Sequence, residues 1–280
     1  LTFILADVRD LRKLASAVDG ATAIVHAAAL KRVSTGERQA DEFVKTNIEG
    51  TANVIDVAIL QQVPRVLFVS SDKAVAPYNA YGKSKAVAES LIIQANIRGS
   101  SRRVRFAVAR GGNVWASRGS VIEIWRAAVE AQPHQPIEVS DPDITRFHLP
   151  MEAWCAFCWR ALSEMRGGEI FVPKLHVWQL GDLAHVFTRA HVFGIDDDPY
   201  PVRFIGAQDG DKPNETLIAP GEVYRTIDVG WSYIIEPSED ICNVWEYIPH
   251  AGQGLSDGFE YRSDRAHRLT REELRTLIDE

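Results

Sequence analysis

A short stretch of polar residues could carry out acid–base chemistry. Ser71, Asp72 and Lys73 follow an apolar run, and Tyr81 and Lys85 come shortly after them. Tyr81 and Lys85 are one helical turn apart, which puts them on the same face of a helix. An ammonium group beside a phenol favours the phenolate. We therefore predict that Lys85 lowers the pKa of Tyr81 and makes it a usable base near neutral pH.

These residues need a strand and a helix to position them. We predict a buried strand at 66–70 and a helix at 81–98, so that the polar cluster lies at the carboxyl end of a strand, where ligands bind in open α/β sheets. A competing interpretation makes the tyrosine and lysine an ordinary solvated pair and the Asp-Lys pair a charge pair in a turn. The cluster upstream of Tyr-x-x-x-Lys favours the active-site interpretation.

The composition is that of an ordinary globular protein. The chain has 280 residues, of which 46% are hydrophobic and 25% charged, and its net charge is -7. This charge argues against a general nucleic-acid surface. The sequence contains no apolar run of membrane-spanning length and does not open with a signal peptide, so we expect a cytoplasmic protein without a membrane partner.

The cysteines do not form a recognisable framework. Cys155, Cys158 and Cys242 are too few for a disulfide scaffold, which fits a reducing compartment. Cys155 and Cys158 have redox spacing, but there is no second pair to complete a zinc site. We favour an interpretation in which they pack in an apolar helix, and we predict no metal site.

Strands and helices alternate along the chain. This alternation predicts an α/β fold with a doubly wound parallel sheet. Strands are predicted at 2–6, 22–28, 66–70, 104–110, 137–139, 145–149, 169–172 and 233–235. Helices are predicted at 11–18, 40–62, 81–98, 121–131, 180–192 and 269–278. Asp10 is a candidate cap for the first helix, and Thr270 with Glu273 forms a capping box at the last.

The glycine-rich turn of a dinucleotide-binding (Rossmann) domain is missing from the opening of the chain. Neither Gly111-Gly112 nor Gly167-Gly168 opens a helix in a first βαβ unit. We therefore expect the strand at 2–6 to be the third of the usual order, with about 60 N-terminal residues absent. We divide the chain into a truncated Rossmann domain at 1–115 and a smaller α/β domain at 116–280, some of whose segments return to the first.

Several segments together carry a family resemblance. In the first half they are Asp-Val-Arg-Asp at 7–10, His-Ala-Ala-Ala-Leu-Lys at 26–31, Thr-Asn-Ile-Glu-Gly-Thr at 46–51, Ser-Ser-Asp-Lys-Ala at 70–74 and Tyr-Gly-Lys-Ser-Lys at 81–85. Further on they are Gly-Asn-Val at 112–114, Ser-Arg-Gly-Ser-Val at 117–121, Thr-Arg-Phe at 145–147, Gly-Glu-Ile-Phe-Val-Pro-Lys at 168–174 and Tyr-Arg-Ser-Asp at 261–264.

With these segments the chain resembles the extended short-chain dehydrogenase/reductases. Within them it is most similar to the C5-inverting UDP-N-acetylglucosamine 4,6-dehydratases, the CapD-like polysaccharide-biosynthesis group. An Asp-Lys pair before Tyr-x-x-x-Lys separates this group from ordinary sugar-nucleotide epimerases. The chain departs from the group at Ser71, usually threonine, and at Gly111, usually tyrosine. It also departs at Gln208, usually an arginine that the resemblance places near the nucleotide phosphates, and at Asn214.

The resemblance implies NADP, or alternatively NAD, as a recycled hydride carrier. It assigns Tyr81 as the base for the sugar C4 hydroxyl, Lys85 to the cofactor ribose and Ser71 to the C4 oxygen. Lys73 would remove the C5 proton, and Asp72 would protonate the departing C6 hydroxyl.

The resemblance also implies binding residues. The cofactor set is Asp7, Val8, Ala27, Ala28, Lys31, Tyr81 and Lys85. The substrate set is Lys31, Asn113, Val114, Arg118 and Arg146. Taken singly, the charged members fit surface residues equally well and Asn113 fits a turn. His26 is interpreted as a packing residue.

The partner implied by the resemblance is a UDP-sugar, and we expect a homo-oligomer without nucleic acid. Two other functions stay open. One is a nucleotide-sugar epimerase or reductase that uses the same tyrosine and lysine. The other is a non-catalytic remnant that acts as a binding module.

Overall fold

The computed structural model describes residues 1–31, 39–132, 135–190, 200–208, 211–245 and 247–279. The chain forms two compact units, each built from three segments. The first unit contains Leu1–Gly111, Cys155–Lys174 and Thr216–Glu260. The second contains Gly112–Trp154, Leu175–Glu215 and Tyr261–Glu280.

The elements are numbered in chain order. The first half contains α1 (Leu11–Ala17), β1 (Ile24–His26), α2 (Ala40–Phe43), α3 (Gly50–Leu60), β2 (Arg65–Ser71), α4 (Ala80–Gly99), β3 (Arg105–Gly111), β4 (Asn113–Val114), α5 (Val121–Ala131), β5 (Ile137–Val139) and β6 (Thr145–Leu149). The second half contains α6 (Met151–Glu164), β7 (Ile170–Pro173), β8 (Val177–Gln179), α7 (Leu180–Phe187), β9 (Val202–Phe204), β10 (Thr216–Ile218), β11 (Thr226–Asp228), β12 (Ser232–Ile235), α8 (Glu239–Trp245), β13 (Gln253–Gly254), β14 (Tyr261–Arg262) and α9 (Arg271–Asp279).

The first unit is organised around a seven-stranded sheet with the order β1-β2-β3-β7-β12-β11-β13. The strands from β1 to β7 in this order are parallel, and those beyond β7 are antiparallel. Strands β2 and β3 each have four consecutive apolar residues at their centre, 66–69 and 106–109, as expected for a parallel sheet covered on both faces. Helices α3 and α4 pack beside this sheet. The predicted α/β class with a parallel central sheet is confirmed.

The predicted strand at 2–6 is wrong. Within the described residues this segment pairs with no strand, and its side chains are exposed, as at Phe3 and Leu5. A strand needs a hydrogen-bonded neighbour, and apolar sequence alone does not supply one. The predicted strand at 22–28 is shorter than expected and covers only Ile24–His26.

Two predicted helices also differ from the structure. The helix at 40–62 is interrupted by a π-helical segment, Val44–Glu49, at the place where Asn47 breaks the apolar pattern. The helix at 180–192 ends at Phe187, and residues 191–192 lie outside the described part of the chain. The helix Val121–Ala131 matches the predicted bounds, and the structure shows that Ser120 caps its N-terminus.

The second unit has its own small sheets and core. Strand β6 lies between β4 and β8, while β5 pairs with β9. Its core packs α5 and α7 together through Trp125 and Phe187, whose ring centroids are 5.2 Å apart. Thr270 and Glu273 form the predicted capping box at the start of α9.

Of the predicted cysteine pair on α6, Cys158 is buried, and burial raises its thiol pKa to about 12. Cys155 is exposed, and both residues are free thiols. No helix in the described part of the chain is both long and apolar enough to cross a membrane.

A close backbone contact sets the position of α4 in the first unit. A Cβ atom on Gly82 would lie 2.4 Å from the Lys73 carbonyl oxygen and 3.0 Å from Cβ of Pro77. Asn79 caps the helix here by accepting a hydrogen bond from the Gly82 amide at 2.9 Å. Only glycine therefore lets the first turn of α4 approach the turn Asp72–Ala74 so closely.

We expect Gly82→Ala to lower the free energy of unfolding by about 1–3 kcal/mol, because the added methyl group overpacks this contact. Urea denaturation measures the change. Gly221→Ala is the matched control, since no described atom lies within 4 Å of a Cβ atom built there. Equal losses in the two variants would contradict the proposed role of the contact.

Candidate active site

A hydrogen-bonded cluster lies at the carboxyl end of β2. The Ser71 hydroxyl donates to Oδ1 of Asp72 at 2.7 Å, and Nζ of Lys73 donates to the same oxygen at 2.9 Å. The Asp72 side chain is fully buried, and its Oδ2 atom has no hydrogen-bond partner among the described residues. A buried polar atom without a partner is costly. This oxygen is therefore the atom of the cluster best placed to engage a bound molecule.

Tyr81 lies on the first turn of α4, beside this cluster. Burial raises the pKa of the Tyr81 phenol, and the Asp72 carboxylate adds to the increase. The Lys73 ammonium and the Ser71 hydroxyl act in the opposite direction and lower the pKa. The prediction that Lys85 lowers the pKa of Tyr81 is therefore wrong. The cation that favours the phenolate is Lys73, and burial outweighs it.

Lys85 is buried under the end of β2. Its Nζ atom donates to the Val69 carbonyl oxygen at 2.6 Å and lies 3.9 Å from the centroid of the Phe68 ring. Burial lowers the pKa of Lys85 to about 8, and the Glu89 carboxylate opposes this decrease. His26 is also buried, where it contacts the Thr51 hydroxyl at 3.0 Å, and burial lowers its pKa to about 4. His26 therefore fits the predicted packing role.

Asn47 supports the candidate site, a role that local sequence pattern does not predict. Its side-chain amide donates to the Leu30 carbonyl oxygen at 3.0 Å and to the Ser84 hydroxyl at 2.9 Å. The Leu30 amide donates back to Asn47 at 2.8 Å, and the Ser84 hydroxyl donates to the Tyr81 carbonyl oxygen at 2.7 Å. This chain of bonds joins the loop after β1 to the first turn of α4. The signal in the sequence that could have identified Asn47 is a polar residue within an otherwise apolar helical pattern.

The predicted cofactor residues near the start of the chain lie on the surface of the first unit. The Asp7 carboxylate pairs with Arg9 at 2.7 Å, which lowers the pKa of Asp7 to about 2. Val8 packs against Gly50, where a Cβ atom would lie 2.7 Å from Cγ2 of Val8. Its carbonyl oxygen accepts a hydrogen bond from the Asn53 amide at 2.9 Å. Asp7 and Val8 are thus held in place by neighbouring side chains.

The segment after β1 presents small residues. Ala27 and Ala28 follow the last residue of the strand and are exposed, so a flat ligand could approach their backbone. Lys31 is also exposed, and the residues after it lie outside the described part of the chain. Because Asn47 fixes the backbone of Leu30, this segment has a defined course up to Lys31.

The predicted substrate residues belong to the second unit. Asn113 and Val114 form β4, which pairs with β6, and Arg118 is exposed in the loop that follows. Arg146 donates to the Thr145 carbonyl oxygen at 2.8 Å. Its guanidinium lies 3.9 Å from the Glu215 carboxylate.

The two departures from the family pattern also lie in the second unit. Gln208 donates to the Gly206 carbonyl oxygen at 3.0 Å and supplies no charge. The Asn214 side chain accepts a hydrogen bond from the Thr145 hydroxyl at 2.9 Å. The structure therefore places the catalytic and cofactor predictions in one unit and the other substrate predictions in the second.

We expect Lys85 to titrate near pH 8, because burial disfavours its ammonium form. Below pH 8 both folded and unfolded chains hold this proton, so the full cost of burying the charge is present. Between about 8 and the ordinary value of 10.5 only the unfolded chain holds it, so stability rises with pH.

The Cε resonance of Lys85 in ¹³C-lysine-labelled protein, assigned with Lys85→Arg, measures this pKa. The unfolded protein in denaturant is the control, since Lys85 should there titrate at its ordinary value of 10.5. A Lys85 midpoint in the folded protein equal to that in the unfolded protein would contradict the burial argument.

Comparisons with known proteins show which family the chain resembles. The polysaccharide biosynthesis protein family matches residues 1–237. A UDP-N-acetylglucosamine 4,6-dehydratase (inverting) from Campylobacter jejuni is 32% identical over 271 residues, covering 94% of this chain and 78% of the relative. A UDP-glucose 4-epimerase from Rickettsia felis is 33% identical over 279 residues, covering 99% and 80%.

A solved structure shows the same architecture. The X-ray structure of Pen from Bacillus thuringiensis superposes with a TM-score of 0.86 at 32% identity, covering 98% of this chain and 79% of that one. The family match spans most of the chain and includes the whole Ser71–Lys85 region. The chain therefore belongs to the polysaccharide biosynthesis protein family.

Proposed function

We propose that the chain is a nucleotide-sugar 4,6-dehydratase that acts on UDP-N-acetylglucosamine, inverts C5 and uses NADP. The observation that carries the proposal is the contact between Asp72 and Lys73 beside Tyr81. Oxidation at C4 needs one base, whereas elimination across C5 and C6 needs a second base and an acid. The similarity to the Campylobacter dehydratase supports the same assignment.

The first unit has features that suit a nicotinamide dinucleotide. Lys85 offers a buried ammonium at the end of β2. Ala27 and Ala28 leave the backbone after β1 open to a flat ligand. We assign Lys85 and Tyr81 to the ribose and nicotinamide end, and Asp7 and Val8 to the adenine end. A nicotinamide dinucleotide held by these residues would supply reversible hydride transfer between C4 and C6 of the sugar.

Tyr81 is the residue that takes the C4 hydroxyl proton. Burial raises the pKa of the phenol. Tyr81 therefore needs the Lys73 ammonium and the Ser71 hydroxyl, which lower this pKa, to act as a base. Lys73 therefore helps the oxidation in its charged form. The Ser71 hydroxyl is placed to hydrogen-bond the C4 oxygen as its proton leaves.

Asp72 and Lys73 carry the elimination as a pair. Transfer of a proton from Nζ of Lys73 to Asp72, along their 2.9 Å hydrogen bond, produces a neutral amine and a carboxylic acid. These are the two forms that elimination requires, since the amine removes the C5 proton and the acid protonates the departing C6 hydroxyl as water. Exclusion of water by a bound substrate favours this uncharged form, because it removes the solvent that stabilises the two charges.

The alternative is a C4 epimerase, which the Rickettsia relative of similar identity favours. An epimerase also oxidises C4 through Tyr81, with the Lys73 ammonium beside it, but it has no C5 proton to remove and no C6 hydroxyl to expel. The product therefore distinguishes the two functions, because only a dehydratase forms a UDP-sugar that has lost one water.

We expect Lys73→Ala to reduce the formation of dehydrated UDP-sugar by about 10²–10⁴-fold, the usual contribution of a general base. Lys83→Ala is the matched control, because it removes the same charge from an exposed position on the same helix as Tyr81. It should keep wild-type activity. Mass spectrometry of UDP-N-acetylglucosamine incubated with NADP measures the product. Full activity of Lys73→Ala in forming either a dehydrated product or a C4 epimer would overturn the dehydratase assignment.

A further inference from the structure

Arg110, near the end of β3, is a buried cation that binds two carboxylates. Its Nε and Nη2 atoms donate to Glu89 at 3.0 and 2.7 Å. Its Nη1 and Nη2 atoms donate to Glu222 at 2.9 and 3.0 Å. Nη1 also donates to the Leu217 carbonyl oxygen at 2.9 Å. The side chain is only 3% exposed, so these contacts are shielded from water.

The partners of Arg110 belong to the elements that carry the candidate active site. Glu89 lies on α4, one turn beyond Lys85. Leu217 lies on β10, which packs against the turn that holds Asp72 and Lys73. Arg110 therefore connects the helix that carries Tyr81 and Lys85 to the strand that packs against the Asp72–Lys73 turn.

The bond to Glu89 has an electrostatic consequence for Lys85. Glu89 is buried, and its charge acts on the Lys85 ammonium and favours the protonated form. A buried carboxylate must be paired. With Arg110 in place, both Glu89 oxygens are occupied, and the Lys85 ammonium remains on the Val69 carbonyl oxygen.

We propose that Arg110 is a positioning residue that holds Glu89 and thereby keeps Lys85 at the end of β2, available to the cofactor. Without Arg110, Glu89 would draw the Lys85 ammonium one turn along α4 and away from Val69. The proposal rests on the proposed function for the role of Lys85, but its structural part concerns only this chain.

The other groups that face Lys85 do not compete for this role. The Val69 carbonyl and the Phe68 ring come from β2 and are uncharged. His26, on β1, is neutral at physiological pH because burial lowers its pKa to about 4. Tyr81, on α4, is protonated at neutral pH because burial raises its pKa. Glu89 is therefore the charged group whose state decides where the ammonium lies.

A double-mutant cycle tests the proposal with Arg110→Gln, Glu89→Gln and the double variant. We expect Arg110→Gln to raise the Lys85 pKa above its wild-type value and to weaken NADP binding about tenfold, within the range of measured pairwise couplings. Adding Glu89→Gln removes the competing carboxylate. The double variant should then regain NADP binding to within about threefold of wild type, and its Lys85 pKa should fall back.

If Arg110 has only a structural role, the variants should show a different pattern of NADP binding. In that case the double variant binds NADP no better than Arg110→Gln, and this outcome would overturn the proposal. Glu222→Gln is the control, because it removes a partner of Arg110 without freeing Glu89 and should leave the Lys85 pKa unchanged. If Arg110→Gln does not fold, Arg110→Lys provides the same comparison with one cation retained, and rescue by Glu89→Gln remains the deciding result.

The readouts separate this proposal from the proposed function. The Lys85 pKa, followed through its Cε resonance, is measured on protein without cofactor. If wild-type protein binds no NADP or NAD, the proposed function fails, while the Lys85 titration still decides whether Arg110 controls the ammonium through Glu89. An unchanged Lys85 pKa in Arg110→Gln would reject the role of Arg110 whatever the protein catalyses.

Discussion

The contact between the first turn of α4 and the turn after β2 is the constraint on which the candidate site depends. The backbone of Gly82 meets the carbonyl of Lys73 with no room for a side chain. This approach brings a phenol, a hydroxyl, a carboxylate and an ammonium from separate elements within interaction distance. The Lys85 ammonium adds a second connection, because it binds the last part of β2 from the next turn of the same helix.

Burial gives these groups their chemical character. It raises the pKa of Tyr81 and lowers the pKa of Lys85, so both groups are shifted towards their uncharged forms. Asp72 is as deeply buried, and it shares one oxygen between Ser71 and Lys73. Arg110 keeps a permanent charge behind the site, where it is balanced by two carboxylates. A site of this kind responds to a bound ligand, because the exclusion of water changes which protonation state is favoured.

The sequence predicted the parts of the structure that local pattern determines. The strand at 145–149, the helix at 121–131 and the cap at Thr270 follow from apolar periodicity and capping chemistry. The parallel sheet followed from the alternation of strands and helices. The prediction of a strand at 2–6 was wrong, because a segment forms a strand only where a neighbouring strand is present to pair with it.

Contacts between residues far apart in the chain could not be predicted from local sequence pattern. Asn47 meets Leu30 and Ser84 only in the folded chain, and Glu89 reaches Arg110 across the gap between a helix and a strand. The cation acting on Tyr81 was misassigned for the same reason. Helical spacing favours Lys85, but the fold directs its ammonium to the Val69 carbonyl oxygen, and Lys73 is the cation that lowers the pKa of the Tyr81 phenol.

The most direct test of the central claim is to run the reaction in D₂O and analyse the product by mass spectrometry and NMR. The proposed mechanism removes the C5 proton of UDP-N-acetylglucosamine and returns one from solvent. It therefore predicts a product that has lost one water and carries a single deuteron at an inverted C5. A product of unchanged mass, without deuterium at C5 and altered only at C4, would contradict the dehydratase assignment and indicate an epimerase.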